Sequence, residues 1–562
     1  LASIEPQLEP GWPADFKSAW FVTLGVWQGR GVYAVTTPSS SPTNRFYIWN
    51  LNGEEYANWI VWKVPKLLIE GKAFPSWDLD GDGETEIFTL KDSMWILLKA
   101  SSGTIIPVKR HWDASYYFYP SPALYDADSD GKPEVYWFEG YDENAGALLS
   151  EVRVYRFDGC KVDSTVFKLK SQGKELKGAV VSATSVRLPI GDFDEDRRAE
   201  MALMLPTEDE TLPMKISVID AMTLEVERET QVRGGVWQYP VVGDLDGDGS
   251  SEAVFATFVY HREPGGQDSA VIYVVNLANG NVLASKALPE PATEWVQNPL
   301  ALGDIDGDGL PEIILSYLRP EPDSSTSVIL QVYDASLNLL NEVVFNFEEF
   351  WNVGISLADV DLDGKDDVII PIPLFEYDRN PISAYSFSRG PLWQIHIPPD
   401  TTLEHFRAYK DNVARPFLWD VDNDDFPELA AVRIYMLDTT GYSYGISFLS
   451  LFEIPLQNPH LGWPMLYHDP WNTNNYDFWP PQVGVRENVS GSTPKLLKPT
   501  PKGLLVNSPK AQLAELKVYD VAGRLVYRGK VNLKAGANLI RVPGKGVRVV
   551  NILGEKTRVI GR

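Results

Sequence analysis

The sequence predicts an all-β protein built from a repeated unit, and three observations support this prediction. A chain of 562 residues is too long for one compact core unless its architecture is repetitive. Its composition is globular, and 43 glycines and 41 prolines favour many turns between short strands. An acidic motif recurs seven times, at spacings of 48 to 66 residues. A self-similar unit of that length indicates a propeller or another repeat array.

The repeated motif is D-x-D-x-D-x-x-x-[DE], which first occurs in the segment WDLDGDGETEIF. Asp78, Asp80 and Asp82 alternate along this segment, and Glu86 adds a fourth carboxylate. So many like charges in nine residues repel one another unless a cation lies between them. The other six copies begin at Asp126, Asp192, Asp244, Asp304, Asp359 and Asp420.

The spacing of the motif points to calcium. Side chains at positions 1, 3 and 5 of a tight loop converge, Gly at position 6 permits the turn, the carbonyl of position 7 points inward, and the acid at position 9 completes the set. Ca²⁺ takes about six to eight such oxygens at ~2.3–2.6 Å, whereas Mg²⁺ requires a tighter octahedron. Position 12 is never acidic and apolar β-type runs follow the loops, which argues against EF-hands.

About seven Ca²⁺ sites are therefore predicted. Their predicted ligands, with position 7 acting through its carbonyl, are Asp78, Asp80, Asp82, Glu84 and Glu86; Asp126, Asp128, Asp130, Lys132 and Glu134; Asp192, Asp194, Asp196, Arg198 and Glu200; Asp244, Asp246, Asp248, Ser250 and Glu252; Asp304, Asp306, Asp308, Leu310 and Glu312; Asp359, Asp361, Asp363, Lys365 and Asp367; Asp420, Asp422, Asp424, Phe426 and Glu428.

Two loops lack the Gly at position 6, and one has Asp in place of Glu at position 9. Arg197 and Asp425 replace Gly at position 6 of their loops, where a non-Gly residue at positive φ costs about 1 kcal/mol. Arg197 and Arg198 also bring positive charge to the Asp192 loop, which is expected to bind calcium most weakly or to replace it partly with guanidinium. Asp367 is shorter than the Glu found at position 9 elsewhere, so one of its ligands is expected to be water.

The segments VVGDLDGDGSSEAVF (Val241 to Phe255) and LALGDIDGDGLPEIIL (Leu300 to Leu315) resemble the FG-GAP or integrin-alpha-type β-propeller repeat. The resemblance covers roughly residues 15 to 480 and implies four-stranded blades, with calcium bound between the first two strands of a blade. FVTLGVWQGRGVYAVTT (Phe21 to Thr37) aligns with the same repeat after loss of its acids. Eight blades, the first without metal, are therefore favoured over seven blades plus a closing segment. The aromatic residues of Gly462 to Trp479 are expected to pack in the core or in a closing strand.

Three domains are predicted: a propeller over residues 1–480, a Pro-, Gly- and Ser-rich linker over 481–503, and a small β-sandwich over 504–562. The segments LKVYDVAGRLVYRG and LKAGANLIRV resemble the immunoglobulin-like C-terminal sorting domain of type IX secretion. That family's GVY is Gly546-Val547-Arg548 here, which weakens the inference about the route. The resemblance implies export by a bacterial-type system to the cell surface or medium, where millimolar calcium would fill the loops.

Charge is unevenly distributed along the chain. The net charge is −27, yet Pro494 to Arg562 contain 15 Lys or Arg against 3 Asp or Glu. That tail therefore carries +12 and the preceding residues carry −39. An acidic body argues against nucleic acid as its partner, and no window is apolar enough to span a membrane. Surface proteins or polysaccharide are the expected partners, and the basic tail of one copy could dock on the acidic body of another.

No catalytic residue is predicted. The six histidines lack metal-ligand spacing, no nucleophile elbow or phosphate loop occurs, and Cys160 is alone. The predicted function is that of an exported, calcium-stabilised binding or structural protein. The alternative is a calcium-dependent lyase of acidic polysaccharide, with the Asp192 loop and its arginines as the place to look. Some of the 18 tryptophans could stack on sugars, although core packing is their expected role.

Overall fold

The structure is a computed structural model of the chain. It describes residues 6–9, 12–18, 21–27, 31–37, 44–62, 74–80, 82, 85–91, 94–99, 102–110, 117–118, 121–141, 151–168, 188–206, 214–236, 240–259, 269–288, 300–320, 326–347, 354–372, 374, 381–397, 416–422, 424, 426–439, 442–456, 459–462, 468–469, 475–477, 497–500, 503–508, 512–519, 525–534, 536–540, 546–552 and 555–561.

The described residues form an eight-bladed β-propeller, as predicted, in which each blade is an antiparallel sheet. The first two strands along the chain come before blade 1 in sequence and are β1 (Gln7–Leu8) and β2 (Ala14–Ser18). Blade 1 contains β3 (Phe21–Trp27), β4 (Gly31–Thr37), β5 (Asn44–Asn50) and β6 (Glu55–Trp62). Blade 2 contains β7 (Ser76–Trp77), β8 (Glu86–Lys91), β9 (Met94–Lys99) and β10 (Thr104–Arg110). Blade 3 contains β11 (Tyr117–Phe118), β12 (Ala123–Tyr125), β13 (Glu134–Tyr141), β14 (Glu151–Phe157) and β15 (Val162–Lys168). Blade 4 contains β16 (Ile190–Gly191), β17 (Glu200–Pro206), β18 (Met214–Asp220) and β19 (Val226–Val232).

The second half of the propeller repeats this order. Blade 5 contains β20 (Gly235–Val236), β21 (Val241–Gly243), β22 (Glu252–Val259), β23 (Ser269–Asn276) and β24 (Val282–Ala287). Blade 6 contains β25 (Leu300–Gly303), β26 (Glu312–Pro320), β27 (Thr326–Tyr333) and β28 (Leu339–Phe347). Blade 7 contains β29 (Ser356–Ala358), β30 (Asp367–Ile370), β31 (Pro381–Ser386) and β32 (Gly390–His396). Blade 8 contains β33 (Phe417–Trp419), β34 (Glu428–Thr439) and β35 (Tyr442–Glu453).

The N-terminal strands close the ring. Blade 8 supplies three strands of its own, and β1 and β2 pair antiparallel with β35 to complete the sheet. This pairing removes the free edges that an open array would expose. Blade 1 has the shortened, acid-free connection expected from its sequence, because only three residues separate β3 from β4.

The core lies between the faces of neighbouring blades. First strands such as β21 and β25 are buried throughout, whereas the fourth strand β24 is mostly exposed or half-buried. In blades 2 and 3, the ring centroid of Trp95 lies 5.0 Å from Phe88 and 5.5 Å from Trp137. Each such pair adds about 0.5–1.5 kcal/mol beyond the burial of its area. The buried tryptophans confirm the predicted core role for Trp12, Trp27, Trp49, Trp95, Trp137, Trp393 and Trp419.

The aromatic residues Trp463, Tyr467, Trp471, Phe478 and Trp479, which were expected to pack in the core or in a closing strand, lie outside the described residues. The described residues near them contact the ends of first strands, where Asn475 forms an isolated parallel bridge with Val242. Tyr476 N–H donates to the Val242 carbonyl at 2.7 Å, and the Asp359 N–H donates to the His460 carbonyl at 2.8 Å. The Asp477 carboxylate accepts from Asp244 N–H at 2.6 Å. These hydrogen bonds connect the described residues of this segment to the Asp244 and Asp359 loops.

The chain divides into two compact units. One comprises Leu1–Gly303, Glu312–Leu362 and Asp366–Gly484, and the other comprises Val485–Arg562 with Asp304–Pro311 and Asp363–Lys365. The described C-terminal strands form a three-stranded and a four-stranded sheet. They are β36 (Leu497–Thr500), β37 (Gly503–Ser508), β38 (Gln512–Tyr519), β39 (Leu525–Leu533), β40 (Gly536–Ile540), β41 (Gly546–Ile552) and β42 (Glu555–Gly561). In the described residues, no helix is long and apolar enough to cross a membrane.

Candidate metal centres

The seven acidic loops connect the first strand to the second strand in blades 2 to 8. In blade 5, β21 ends at Gly243 and β22 begins at Glu252, so the first aspartate follows one strand directly and the last acid begins the next. Asp244 and Glu252 are buried, whereas Asp246 and Asp248 are exposed. The two strands therefore fix both ends of the loop, and the central carboxylates face solvent.

Backbone N–H groups hold the aspartates of each loop in place. In the Asp244 loop, Gly247 and Gly249 donate to the two carboxylate oxygens of Asp244, at 2.7 and 3.1 Å. Asp248 N–H donates to Asp246 Oδ1 at 3.1 Å, and Ser250 N–H donates to Asp248 Oδ1 at 2.7 Å. The Asp304 loop repeats these four bonds. Side chains at positions 1, 3 and 5 are thus oriented before any ion binds.

The acid at position 9 is held by the other end of its own loop. The backbone N–H of position 2 donates to its carboxylate at distances of 2.6 to 3.1 Å. The pairs are Leu79 with Glu86, Ala127 with Glu134, Phe193 with Glu200, Leu245 with Glu252, Val360 with Asp367, and Val421 with Glu428. One carboxylate oxygen is used for this bond, which leaves the other to turn toward the aspartates.

The backbone conformation at position 6 is the one that the sequence indicates, and a second position of the loop has a similar conformation. In the loops where it is described, position 6 is left-handed, with φ of 91° at Gly131, 94° at Gly249 and 75° at Arg197, so the arginine adopts the strained conformation that was expected. Position 4 is also left-handed in these loops, including Glu195 at 60° and Leu362 at 58°. The sequence did not reveal position 4, because residues of very different type occupy it.

The loop carboxylates converge. Among described residues, seven groups of three or more possible ligand side chains have their ligand atoms within 4.8 Å of one another. Five of these groups are Asp78, Asp80 and Asp82; Asp126, Asp128 and Asp130; Asp192, Asp194 and Glu200; Asp244, Asp246 and Glu252; and Asp304, Asp306 and Asp308. Glu84 and Asp425 lie outside the described residues. Several acidic groups could therefore hold metal ions.

Glu200 shows that this donor set fits a cation. Its side chain is fully buried, and its Oε2 accepts the Phe193 N–H at 2.8 Å. Its Oε1 is buried and accepts no hydrogen bond within the described structure. Leaving a buried acceptor unsatisfied costs about 1–3 kcal/mol, and more when it is charged. An ion held between this oxygen, Asp192 and Asp194 would remove that cost, and hard oxygen ligands of this kind suit Ca²⁺.

Burial and mutual repulsion raise the pKa values of several position-9 glutamates. Burial, followed by the charges of Asp194 and Glu227, raises the pKa of Glu200 to about 8. For the same reasons the pKa rises to about 7 at Glu86, to about 8 at Glu252 and to about 9 at Glu428. Without an ion, these groups therefore keep their proton to a higher pH than an ordinary glutamate does.

These raised pKa values predict that the metal-free propeller loses stability as the pH rises. The ordinary glutamate pKa is 4.5. Between that pH and the raised pKa values of the folded state, the folded chain therefore binds more protons than the unfolded chain. We expect the unfolding midpoint in chelator to fall between pH 5 and pH 9. Saturating calcium, which keeps the glutamates ionised, should abolish or reverse this trend. Calorimetry at matched pH values checks both, and a midpoint in chelator that rises with pH would contradict the account.

Cationic side chains lie beside several loops, at positions that the sequence did not indicate. Lys99 contacts three carboxylates of the Asp78 loop. Arg228 pairs with Asp194 at 2.5 Å, and Arg389 with Asp361 at 2.6 Å. Arg198, which was expected to reach the Asp192 loop, is 69% exposed and lies 3.9 Å from Asp220. The guanidinium found on that loop therefore comes from the fourth strand of the blade and not from the loop itself.

No protein-family model matches the chain, and no curated protein matches its sequence. Solved structures to which it is similar include the V. cholerae biofilm matrix protein Bap1, at 12% identity over 82% of this chain and 93% of Bap1, with a TM-score of 0.35. The exotype rhamnogalacturonan lyase YesX is 14% identical over 86% of this chain and 82% of its own, with a TM-score of 0.47. The Dos1 propeller is 9% identical over 80% of this chain and 96% of its own, with a TM-score of 0.41.

Proposed function

We propose that this chain is an exported, calcium-stabilised propeller that acts outside the cell as a binding or structural protein. The observation that carries the proposal is the buried Glu200 Oε1, which accepts no hydrogen bond within the described structure and belongs to a converging set of carboxylates. The FG-GAP-type pattern supplies this set seven times along the chain. Repetition in every blade from 2 to 8 supports a role in holding the fold more than a role in one reaction.

Charge explains what the ions would contribute. The seven loops use 28 of the 77 acidic residues, and seven Ca²⁺ ions would change the body's charge from −39 to −25. Calcium would therefore stabilise each loop mainly by relieving its self-repulsion. A carboxylate held by Ca²⁺ stays ionised, so these groups are unsuited to act as general acids.

Calcium dependence tests the extracellular part of the proposal. Sites of extracellular-module affinity have a Kd of about 10⁻⁴–10⁻³ M, so they fill outside cells but not in the cytosol. Limited proteolysis across calcium concentrations from 100 nM to 10 mM should show that protection appears at about 10⁻⁴–10⁻³ M. Full protection already present at 100 nM, after exhaustive chelation, would contradict an extracellular calcium-held fold.

The proposed partners are other surface proteins or polysaccharide. The charge distribution of the chain also favours association between copies of this chain. The sorting-type tail carries +12 against −39 for the preceding residues. Contacts between opposite charges of this kind weaken as salt screens them. Sedimentation at low and moderate salt should show association that salt reverses, whereas a monomer under both conditions would remove self-assembly from the proposal.

A calcium-dependent polysaccharide lyase is the alternative. It would need an incompletely liganded ion in a basic cleft, and the Asp192 loop was the place that the sequence suggested. Arg197 and Arg198 are exposed, and acidic side chains including Asp194 and Glu227 surround Glu200. Such surroundings disfavour a polyanion. If the chain forms an unsaturated product from an acidic polysaccharide in the presence of calcium, it is a lyase.

A further inference from the structure

We propose that the Asp78 loop in blade 2 is closed by the ammonium group of Lys99 in place of a metal ion. The inference rests on the proposed function, because it assumes that calcium closes the comparable loops. It separates this loop from the loops that would recruit a calcium ion from solution.

Lys99 is positioned by the sheet to enter this loop. It is the last residue of β9 and the direct cross-strand partner of Glu86, the first residue of β8. Its Nζ lies 2.8 Å from Asp80 Oδ2 and 3.6 Å from Glu86 Oε1, and it also contacts Asp82. The Lys99 side chain is only 13% exposed, and that of Glu86 is fully buried. One ammonium therefore donates to the carboxylates of positions 3 and 5 and forms a longer ion pair with that of position 9, where an ion would otherwise bind.

The same cross-strand position is not cationic in the blades where the pairing is described through position 9. Asp220 faces Glu200 in blade 4, Asn276 faces Glu252 in blade 5, and Glu453 faces Glu428 in blade 8. An amide or a further carboxylate does not neutralise the loop, so these loops still need a cation from elsewhere. The residue at this position thus distinguishes the Asp78 loop from these three loops.

The arginine beside the Asp192 loop is placed differently. Arg228 contacts Asp194, but its Nη1 donates to the Leu277 carbonyl at 2.8 Å and its Nη2 also lies 3.1 Å from Glu227. Its charge is divided between the loop and groups outside it. Lys99, in contrast, places its whole charge within 3.6 Å of three carboxylates of a single loop.

A tethered ammonium has two consequences for ion binding. It is present at every calcium concentration, so this loop stays closed in chelator. It also opposes a divalent ion, because Ca²⁺ would have to displace a like charge from the same carboxylates. The wild-type chain should then bind at most six calcium ions, and none of them in the Asp78 loop.

Paired loop variants test this assignment by ion counting with native mass spectrometry on the full chain. Asp80→Asn with Asp82→Asn removes two charges from the Asp78 loop while keeping side-chain oxygens for its turns. Asp246→Asn with Asp248→Asn makes the matched change in the Asp244 loop. We expect the first pair to leave the calcium count unchanged and the second pair to lower it by one.

Lys99→Met provides the converse measurement on unaltered carboxylates. It should raise the calcium count by one and make unfolding more sensitive to chelator. Two results would overturn the lysine inference alone, provided that the Asp246 and Asp248 variant still loses its ion. One is the loss of an ion in the Asp80 and Asp82 variant, and the other is an unchanged calcium count in Lys99→Met. If neither loop variant changes the count because the wild-type chain binds no calcium, the proposed function fails, and the inference fails with it.

Discussion

Chelating calcium is expected to lower the unfolding midpoint of the propeller by roughly 15 °C. A site filled at a hundredfold excess over Kd stabilises the folded state by about 2.7 kcal/mol, so six sites contribute roughly 16 kcal/mol. Unfolding a propeller of about 480 residues has an entropy of roughly 1 kcal/mol/K, which converts this free energy into the stated shift. Differential scanning calorimetry in calcium and in chelator measures it.

The matched control for this shift is magnesium at the same concentration. Mg²⁺ requires near-ideal octahedral geometry and loses its water reluctantly, so it should restore much less of the midpoint. A midpoint that is unchanged by chelator would show that the backbone hydrogen bonds of the loops suffice without an ion. Equal rescue by both metals would indicate general charge screening in place of calcium sites.

Glu200→Gln is expected to change stability in opposite directions with and without calcium. In chelator at pH 8, the substitution replaces a buried carboxylate by a neutral amide that can still accept the Phe193 N–H. The amide can also donate toward Asp192 or Asp194, so we expect stabilisation by roughly 1–2 kcal/mol. In saturating calcium the variant loses a charged ligand, and we expect destabilisation by roughly 2–4 kcal/mol.

Glu225→Gln is the control, because Glu225 is an exposed glutamate of the same blade. It should change stability by less than about 0.5 kcal/mol in either condition, as surface substitutions do. Urea unfolding in calcium and in chelator gives all four values. If Glu200→Gln destabilises the chain equally in both conditions, Glu200 acts only in hydrogen bonding and the metal assignment of its loop is wrong.

The eight blades and the seven loop positions could be predicted from the sequence because both depend on local spacing. The D-x-D-x-D pattern is contained within nine residues, and the strands around it are short apolar runs such as Val241–Gly243. Even the acid-free first blade followed from alignment with the repeat. Local hydrogen bonds between neighbouring residues then shape each loop, which is why the positions and conformations of the loops agree with the sequence-based prediction.

Features that depend on distant contacts could not be predicted. Closure of the ring by Gln7–Leu8 and Ala14–Ser18 joins the two ends of the propeller, and neither segment carries the motif. The Asp477 carboxylate meets the Asp244 N–H across 233 positions. Lys99 offered a weak signal, since the third strands of blades 4 and 5 end in Asp220 and Asn276 where blade 2 has a lysine. Its role becomes visible only when the cross-strand pairing is known.

The most direct test of the account is a calcium titration of the full chain followed by native mass spectrometry. The central claim is that calcium ions hold the acidic loops of the propeller, with the blade 2 loop closed by Lys99 instead. The account predicts up to six bound calcium ions, filling at about 10⁻⁴–10⁻³ M and removed by chelator together with thermal stability. A chain that binds one ion or none, and that unfolds at the same temperature throughout the titration, would contradict it.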